Sequence, residues 1–339
     1  MAAGLLWILD AGNNTAMEPS RAFIADKLNP SQQPTGFQSQ SFFTGLGQTL
    51  ANVSLFIFPL IFIGKTGKLP TWVFASFFLG AVCSIGSIWW SMRTTPEIPP
   101  TEEELKKMKA EPLSIFSPFI EIAHAIKDMP KVMWQLALVY LFQWYALFCY
   151  WQNSSKSIAQ SVWKTSPSEN PDLYEKAVSW TGLVNGWYNI VTFLCAFGLV
   201  WFAKRYSPKL VHFTCLVLAG IGFLAFPHIE NKYLLFPAIT GFGIGWASMM
   251  GIPYLMVVSN IPKERYGVYM GIINMMIVIP MIIQNLSFGY ILKNFLDNDP
   301  GKAITFAGVS LLIAAAATLL IKTKKPDDEM ITLGGGGGH

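Results

Sequence analysis

Charge is what this sequence has least of. Only 13% of its 339 residues are charged, where a soluble domain carries roughly 25%. So few charges cannot cover a water-facing surface of this size, which excludes a soluble enzyme and a disordered chain. Cysteine is also scarce. Cys83, Cys149, Cys195 and Cys215 all lie inside apolar runs, with no CxxC spacing. They read as small buried hydrophobes rather than a disulfide scaffold or a zinc site. The four histidines are scattered, without metal-ligand spacing. Gly243-Ile244-Gly245 follows no strand and is not a nucleotide loop. No nucleophile–base set appears, so no enzyme activity, cofactor or metal is expected, and an ATP-driven pump is disfavoured. The chain starts in an apolar run without a basic leader, so no cleavable signal peptide is expected. A net charge of +4 is too small to imply nucleic acid.

What the sequence does have is apolar length. Apolar residues make up 52%, with 25 Phe and 12 Trp, and the mean hydropathy is +0.40. Nine stretches, at 2–27, 40–63, 70–92, 132–151, 178–203, 210–229, 233–260, 267–291 and 302–321, are each long enough to cross a bilayer. The runs are continuous rather than alternating, so the expected fold class is an all-α membrane protein of about nine transmembrane helices. Helices satisfy every backbone group internally, as lipid demands.

The 24 basic residues divide 16 to 8 when the end of the first span faces the cytoplasm. That bias predicts a multi-pass protein of the inner (cytoplasmic) membrane, with its C-terminus cytoplasmic. Residues 94–131 form a cytoplasmic connection, with an amphipathic surface helix over 113–129. Residues 152–177, rich in Ser, Asn and Pro, read as the longest outer loop. The tail 323–339 is polar and ends in five glycines and a histidine.

The candidate site residues are polar groups inside spans, which are costly there and commonly face a cavity or a partner. Asp10, Asn13, Asn14, Met17 and Arg21 are spaced to share one helical face. An acid, two amides and a guanidinium suit a hydroxyl-rich solute, and an acid in a dry cavity holds a proton at neutral pH. Asp10 and Arg21 are eleven residues apart, about 16 Å along an axis, so they cannot pair on one straight helix. Pairing of each within the bundle is the structural alternative. Gln48, Gln143, Trp144 and Asn274 complete the candidate substrate contacts, Trp144 as a ring on which a sugar stacks. Asn52, Asn185, Asn189 and Gln284 fit helix–helix hydrogen bonds, and Trp187 and Trp246 are further stacking candidates. Gly241, Gly243, Gly245 and Gly251, with Pro253, make either a bending gate or a close-packed seam.

Trp7-Ile8-Leu9-Asp10-Ala11-Gly12-Asn13-Asn14, then Pro19-Ser20-Arg21-Ala22 and Ala25-Asp26, resembles the fourth transmembrane helix of sucrose–proton symporters and their bacterial relatives. These are major facilitator proteins near the glycoside–pentoside–hexuronide group. Gly243 to Ala247, Gly251 to Tyr254, Gly267 to Asn274 and Val278-Ile279-Pro280 resemble helices ten and eleven of the same proteins. Leu113 to Pro130 and Phe142-Gln143-Trp144 resemble the central loop and the start of helix seven. The loop motif between helices eight and nine is only faint, as Phe202-Ala203-Lys204-Arg205.

The resemblance implies a twelve-helix fold of which this chain carries helices 4–12. Residues 1–93 would be the remnant of the N-terminal bundle. Residues 94–131 would connect it to a six-helix bundle over 132–322, with the tail at 323–339. It also implies a proton-coupling and sugar-binding role for Asp10 and a sugar-binding role for Arg21. The expected partners are a sugar of the sucrose or maltose type, a proton and the lipid bilayer, with a monomeric chain. A transporter of the same fold for another solute, and a truncated non-transporting membrane sensor, remain the alternatives. Replacing Asp10 by Asn in the full-length parent should abolish proton-driven uptake. Uptake with an unchanged pH dependence would remove Asp10 from the coupling.

Overall fold

The structure is a computed structural model. It describes residues 4, 5, 8, 9, 12, 33–67, 69–96, 101, 102, 105, 106, 117–258 and 266–322. The described residues up to Leu50 belong to one unit and those from Ala51 to Lys322 to another. Nine long helices follow in order among the described residues: α1 (Gln33–Ile61), α2 (Thr71–Thr94), α3 (Ser117–Lys127), α4 (Lys131–Val162), α5 (Pro171–Arg205), α6 (Pro208–Ala225), α7 (Leu235–Val258), α8 (Tyr266–Phe295) and α9 (Pro300–Thr318). A two-residue hairpin pairs Lys65-Thr66 with Leu69-Pro70 between α1 and α2.

Six described stretches are long and apolar enough to cross a membrane: Thr71–Thr94, Lys131–Val162, Pro208–His228, Lys232–Tyr254, Gly271–Phe295 and Pro300–Thr318. A shorter apolar helix covers Gly45–Ile61. The chain is an all-α membrane protein. The first expected span, 2–27, lies almost wholly outside the described residues. On α2, Phe77, Phe78, Ile85 and Trp90 are exposed, a surface that is stable only in lipid.

Several helix starts are written locally. Asn170-Pro171, Ser207-Pro208 and Asp299-Pro300 each place a capping residue before a proline whose missing N–H costs nothing in the first turn. The Asn170 side chain accepts from Leu173 N, and that of Asp299 accepts from Gly301 N and Lys302 N. Ser207 holds the cap position without a side-chain bond.

The expected outer loop over 152–177 is corrected. Helix α4 continues to Val162 and α5 starts at Pro171, so the loop shrinks to 163–170. The polar residues had read as loop, but they continue the helix's inner face. Cys149, Tyr150, Asn153, Ser154, Ser157, Ile158 and Ser161 recur every three to four residues and are all buried. Small hydroxyls and an amide that bonds back to the Cys149 carbonyl fit a close-packed seam as well as apolar groups do. At 32 and 35 residues, α4 and α5 are about 48 and 52 Å long, so both outrun the ~30 Å hydrocarbon core. The short loop is tied to the turn after α6 by an ion pair, Lys164 Nζ to Glu230 Oε1 at 2.6 Å. That ammonium group holds the Glu230 carboxyl below its ordinary range, by hydrogen bond first and charge second.

Helix α3 falls within the stretch 113–129, and its residues pack against α8. Ala125, and Met129 just beyond the helix, are buried while Lys127 is exposed. Residues 113–116 lie outside the described part.

The bundle is built on two tight pairs, α4 with α9 and α6 with α7. In the second pair the backbones nearly touch. A Cβ at Gly222 would sit 2.3 Å from the Ala238 carbonyl oxygen, and one at Gly241 would sit 2.4 Å from that of Leu218. Gly245 continues the same antiparallel seam against Cys215 and Ala219. Contact therefore repeats every three to four residues down both helices. Of the glycines expected to form a gate or a seam, Gly241 and Gly245 are positions of this seam, Gly243 packs instead against Tyr188 and Val191 of α5, and Gly251 has nothing within 4 Å of its Cβ position. Beside the seam, Tyr150 stacks on Phe223 at 4.5 Å, and Phe242 meets Phe223 at 4.8 Å and Tyr188 at 4.7 Å.

Gly241→Ala should destabilise the bundle by about 1–3 kcal/mol through overpacking. Gly251→Ala should be neutral or slightly stabilising, since helical glycine costs roughly 0.5–1 kcal/mol relative to alanine. Thermal unfolding of the two variants in lipid nanodiscs separates these outcomes, and equal melting temperatures would contradict the seam.

Candidate solute-binding site

Two of the candidate residues come together at the middle of α4. Gln143 is fully buried and Trp144 is 6% exposed. Trp144 meets Tyr140 one turn away, ring centroids 6.3 Å apart. Trp246 of α7 stands edge-on to Trp144 at 5.7 Å and to Trp151 at 5.6 Å. Trp144 and Trp151 are seven residues apart on one helix face, which is why one ring of α7 touches both.

Gln143 is held from the opposite side. Its Oε1 lies 3.2 Å from Nε2 of His212 on α6, and His212 Nδ1 lies 2.8 Å from Ser248 Oγ on α7. All three side chains are fully buried. Neither the Gln143 Nε2 nor the Trp144 Nε1 has a hydrogen-bond partner among the described residues. A buried donor left unpaired costs about 1–3 kcal/mol, so two in consecutive residues call for a ligand or a change of state. Chemically, they offer N–H donors next to aromatic rings. Hydroxyl and ether oxygens accept from such donors, and the C–H faces of a sugar ring lie on aromatic faces.

The other candidates are placed differently. Asp10, Asn13, Asn14 and Arg21 lie outside the described residues. Gln48 is on α1 within the first compact unit, with its side chain exposed. Asn274 is exposed on α8, and no hydrogen bond links it to Gln143 or Trp144. Trp187 gives its indole N–H to the Thr240 hydroxyl at 2.9 Å.

Two of the expected helix–helix amides, Asn185 and Gln284, behave as such. Asn185 accepts from the Tyr150 hydroxyl at 2.8 Å, between α5 and α4. Gln284 and Gln152 join α8 to α4 by exchanging two amide bonds, at 3.0 and 3.3 Å. Gln152 also donates to Asn285 at 2.8 Å. Asn189 instead bonds back to the Asn185 carbonyl on its own helix.

Sequence reasoning missed His212, Ser248, Trp151 and Gln152. Only His212 carried a usable signal, as an ionisable residue inside an apolar run.

Residues 3–285 match the Major Facilitator Superfamily. The chain belongs to that superfamily. It is also similar to the sucrose transport protein SUT5 of Oryza sativa subsp. indica and to that of subsp. japonica. Each is 20% identical over an alignment of 326 positions covering 84% of this chain and 58% of the relative. The chain thus spans less than two thirds of the length of these relatives.

The paired amides give this superfamily member a measurable clamp. Gln152→Leu and Gln284→Leu should each destabilise the bundle. Their double-mutant cycle should return a coupling of about 0.6–1.7 kcal/mol, the range for hydrogen bonds between membrane helices. A coupling indistinguishable from zero would show that the two amides act independently.

Proposed function

We propose that the chain is the core of a proton-coupled transporter for a disaccharide or α-glucoside of the sucrose or maltose type. One observation carries the reading of the site. Gln143 and Trp144 place two unpartnered buried donors beside an aromatic cluster, within a chain of the Major Facilitator Superfamily. The distant likeness to plant sucrose transport proteins supports a sugar as the solute.

In this reading residues 1–93 belong to one bundle, 132–322 to the other, and 94–131 link them. The solute sits near the bilayer midplane and the two halves rock around it. Gln143 and Trp144 donate to sugar oxygens. Asp10 carries the proton, and Asp10, Asn13, Asn14 and Arg21 bind hydroxyls from the first helix, with Gln48 and Asn274 as further contacts. Protonation of Asp10 changes the charge near Arg21 and so couples proton to sugar. The protein acts as a monomer in the inner membrane with its C-terminus in the cytoplasm. No basic cluster accompanies Arg21 in the first span, which favours a neutral sugar over an acidic one.

Everted or right-side-out vesicles carrying the protein, with an imposed proton gradient, provide the test. Sucrose and maltose should be concentrated, a protonophore should abolish this, and glucuronides and amino sugars should not compete. Gln143→Ala should raise KM roughly tenfold, the effect of one hydrogen bond to a buried donor. Uptake indifferent to the proton gradient would remove the coupling. Sugar binding without counterflow would instead favour a non-transporting sensor.

A further inference from the structure

Hydrogen-bonding capacity decides what Gln143 can offer. An amide has one accepting end and one donating end, and rotation about its last bond exchanges them. Which end is free depends on what holds the other. Here the partner is His212 Nε2, 3.2 Å from Gln143 Oε1. A neutral imidazole donates from one nitrogen and accepts at the other, so the role of the Ser248 hydroxyl at Nδ1 decides the role of Nε2. Thr192, Thr214 and Thr240 turn their hydroxyls back to the carbonyl of the preceding turn. The Ser248 Oγ meets the ring at 2.8 Å and also bonds to the Cys215 side chain. A hydroxyl that gives its proton to Nδ1 places the imidazole proton on Nε2. That N–H then donates to Gln143 Oε1. The amide is left with its donor end, Nε2, free.

We propose that His212 is a positioning residue for solute recognition: held by Ser248, it locks the Gln143 amide so that Nε2 is presented as a donor. The solute atom at this point is therefore a hydrogen-bond acceptor, such as a hydroxyl, ring or glycosidic oxygen. This rests on the reading of Gln143 as a solute contact. The α6–α7 seam makes the lock stiff. Gly222 meets Ala238, Gly241 meets Leu218 and Gly245 meets Cys215. The next step of the same register brings His212 against Ser248, so the pair is aligned by backbone contact.

The full chain in nanodiscs, labelled with ¹⁵N-histidine, allows a direct test with radiolabelled sucrose and maltose as probes. The His212 imidazole signal, assigned by its loss in His212→Gln, should report the Nε2–H tautomer. His212→Leu should weaken sugar binding roughly tenfold, as loss of one buried orienting bond does. His212→Gln supplies an amide N–H toward Gln143 and should restore binding to within about threefold of wild type. Gln143→Leu removes both the acceptor for His212 and the donor to the solute, and should bind as poorly as Gln143→Ala.

An Nδ1–H tautomer would overturn the proposal. So would His212→Leu binding normally while Gln143→Ala does not, an outcome that leaves the solute contact standing. Normal binding by Gln143→Ala would remove the contact itself and the positioning role with it. If His212→Leu does not fold, Ser248→Ala replaces it. Weaker binding with a mixed tautomer signal supports the lock, and an unchanged signal with unchanged binding refutes it.

Discussion

The close approach of α6 and α7 is the contact on which the rest of the bundle depends. Lipid removes the hydrophobic drive between helices, since tails are as apolar as side chains, so association rests on packing and on a few hydrogen bonds. Packing is strongest where backbones approach, and they approach only where no Cβ intervenes. Gly222, Gly241 and Gly245 meet that condition every three to four residues. Their spacing sets the register of two antiparallel helices. Aromatic rings gather beside the seam, with Phe223 stacked on Tyr150 of α4 and Phe242 tilted against both. One turn beyond the last glycine contact, the register pairs His212 with Ser248.

Polar groups in this bundle fall into two kinds. Most are consumed by neighbours: Asn185 by Tyr150, Gln284 by Gln152, Trp187 by Thr240. These bonds hold helices together and leave little for a ligand. Gln143 and Trp144, with the Ser157 and Ser161 hydroxyls further along α4, are the other kind, since each keeps a buried polar atom that no described residue pairs. In a medium without water such donors are unfavourable, and under the proposed function that energy is recovered when a solute accepts from them. The same contrast separates clamp from site within α4. Gln152 lies nine residues from Gln143, and exchanges bonds with α8 where Gln143 keeps one end open.

Much of the architecture is legible from sequence because lipid imposes simple rules. Long apolar runs with rare charges become helices, since no other open structure satisfies their backbone there. Ser-Pro, Asn-Pro and Asp-Pro pairs mark three of the starts. The loop over 152–177 was misjudged for a physical reason: small hydroxyls serve equally in loops and in close-packed helical seams, and composition does not tell them apart. Gln143 and Trp144 stood out as polar and aromatic neighbours in a span. Asn274 stood out by the same rule, yet it lies exposed on α8.

The sequence by itself determined that this chain is helical and built for lipid, and which few residues could carry chemistry. Composition decides that, because it fixes the solvent in which the chain is stable. Only the tertiary structure decided which glycines pack and which stands free, which amides are spent on neighbours, and that His212 reaches Gln143 across 69 residues of chain. Those outcomes depend on the register between helices, and register is a property of two surfaces fitting together rather than of either sequence alone.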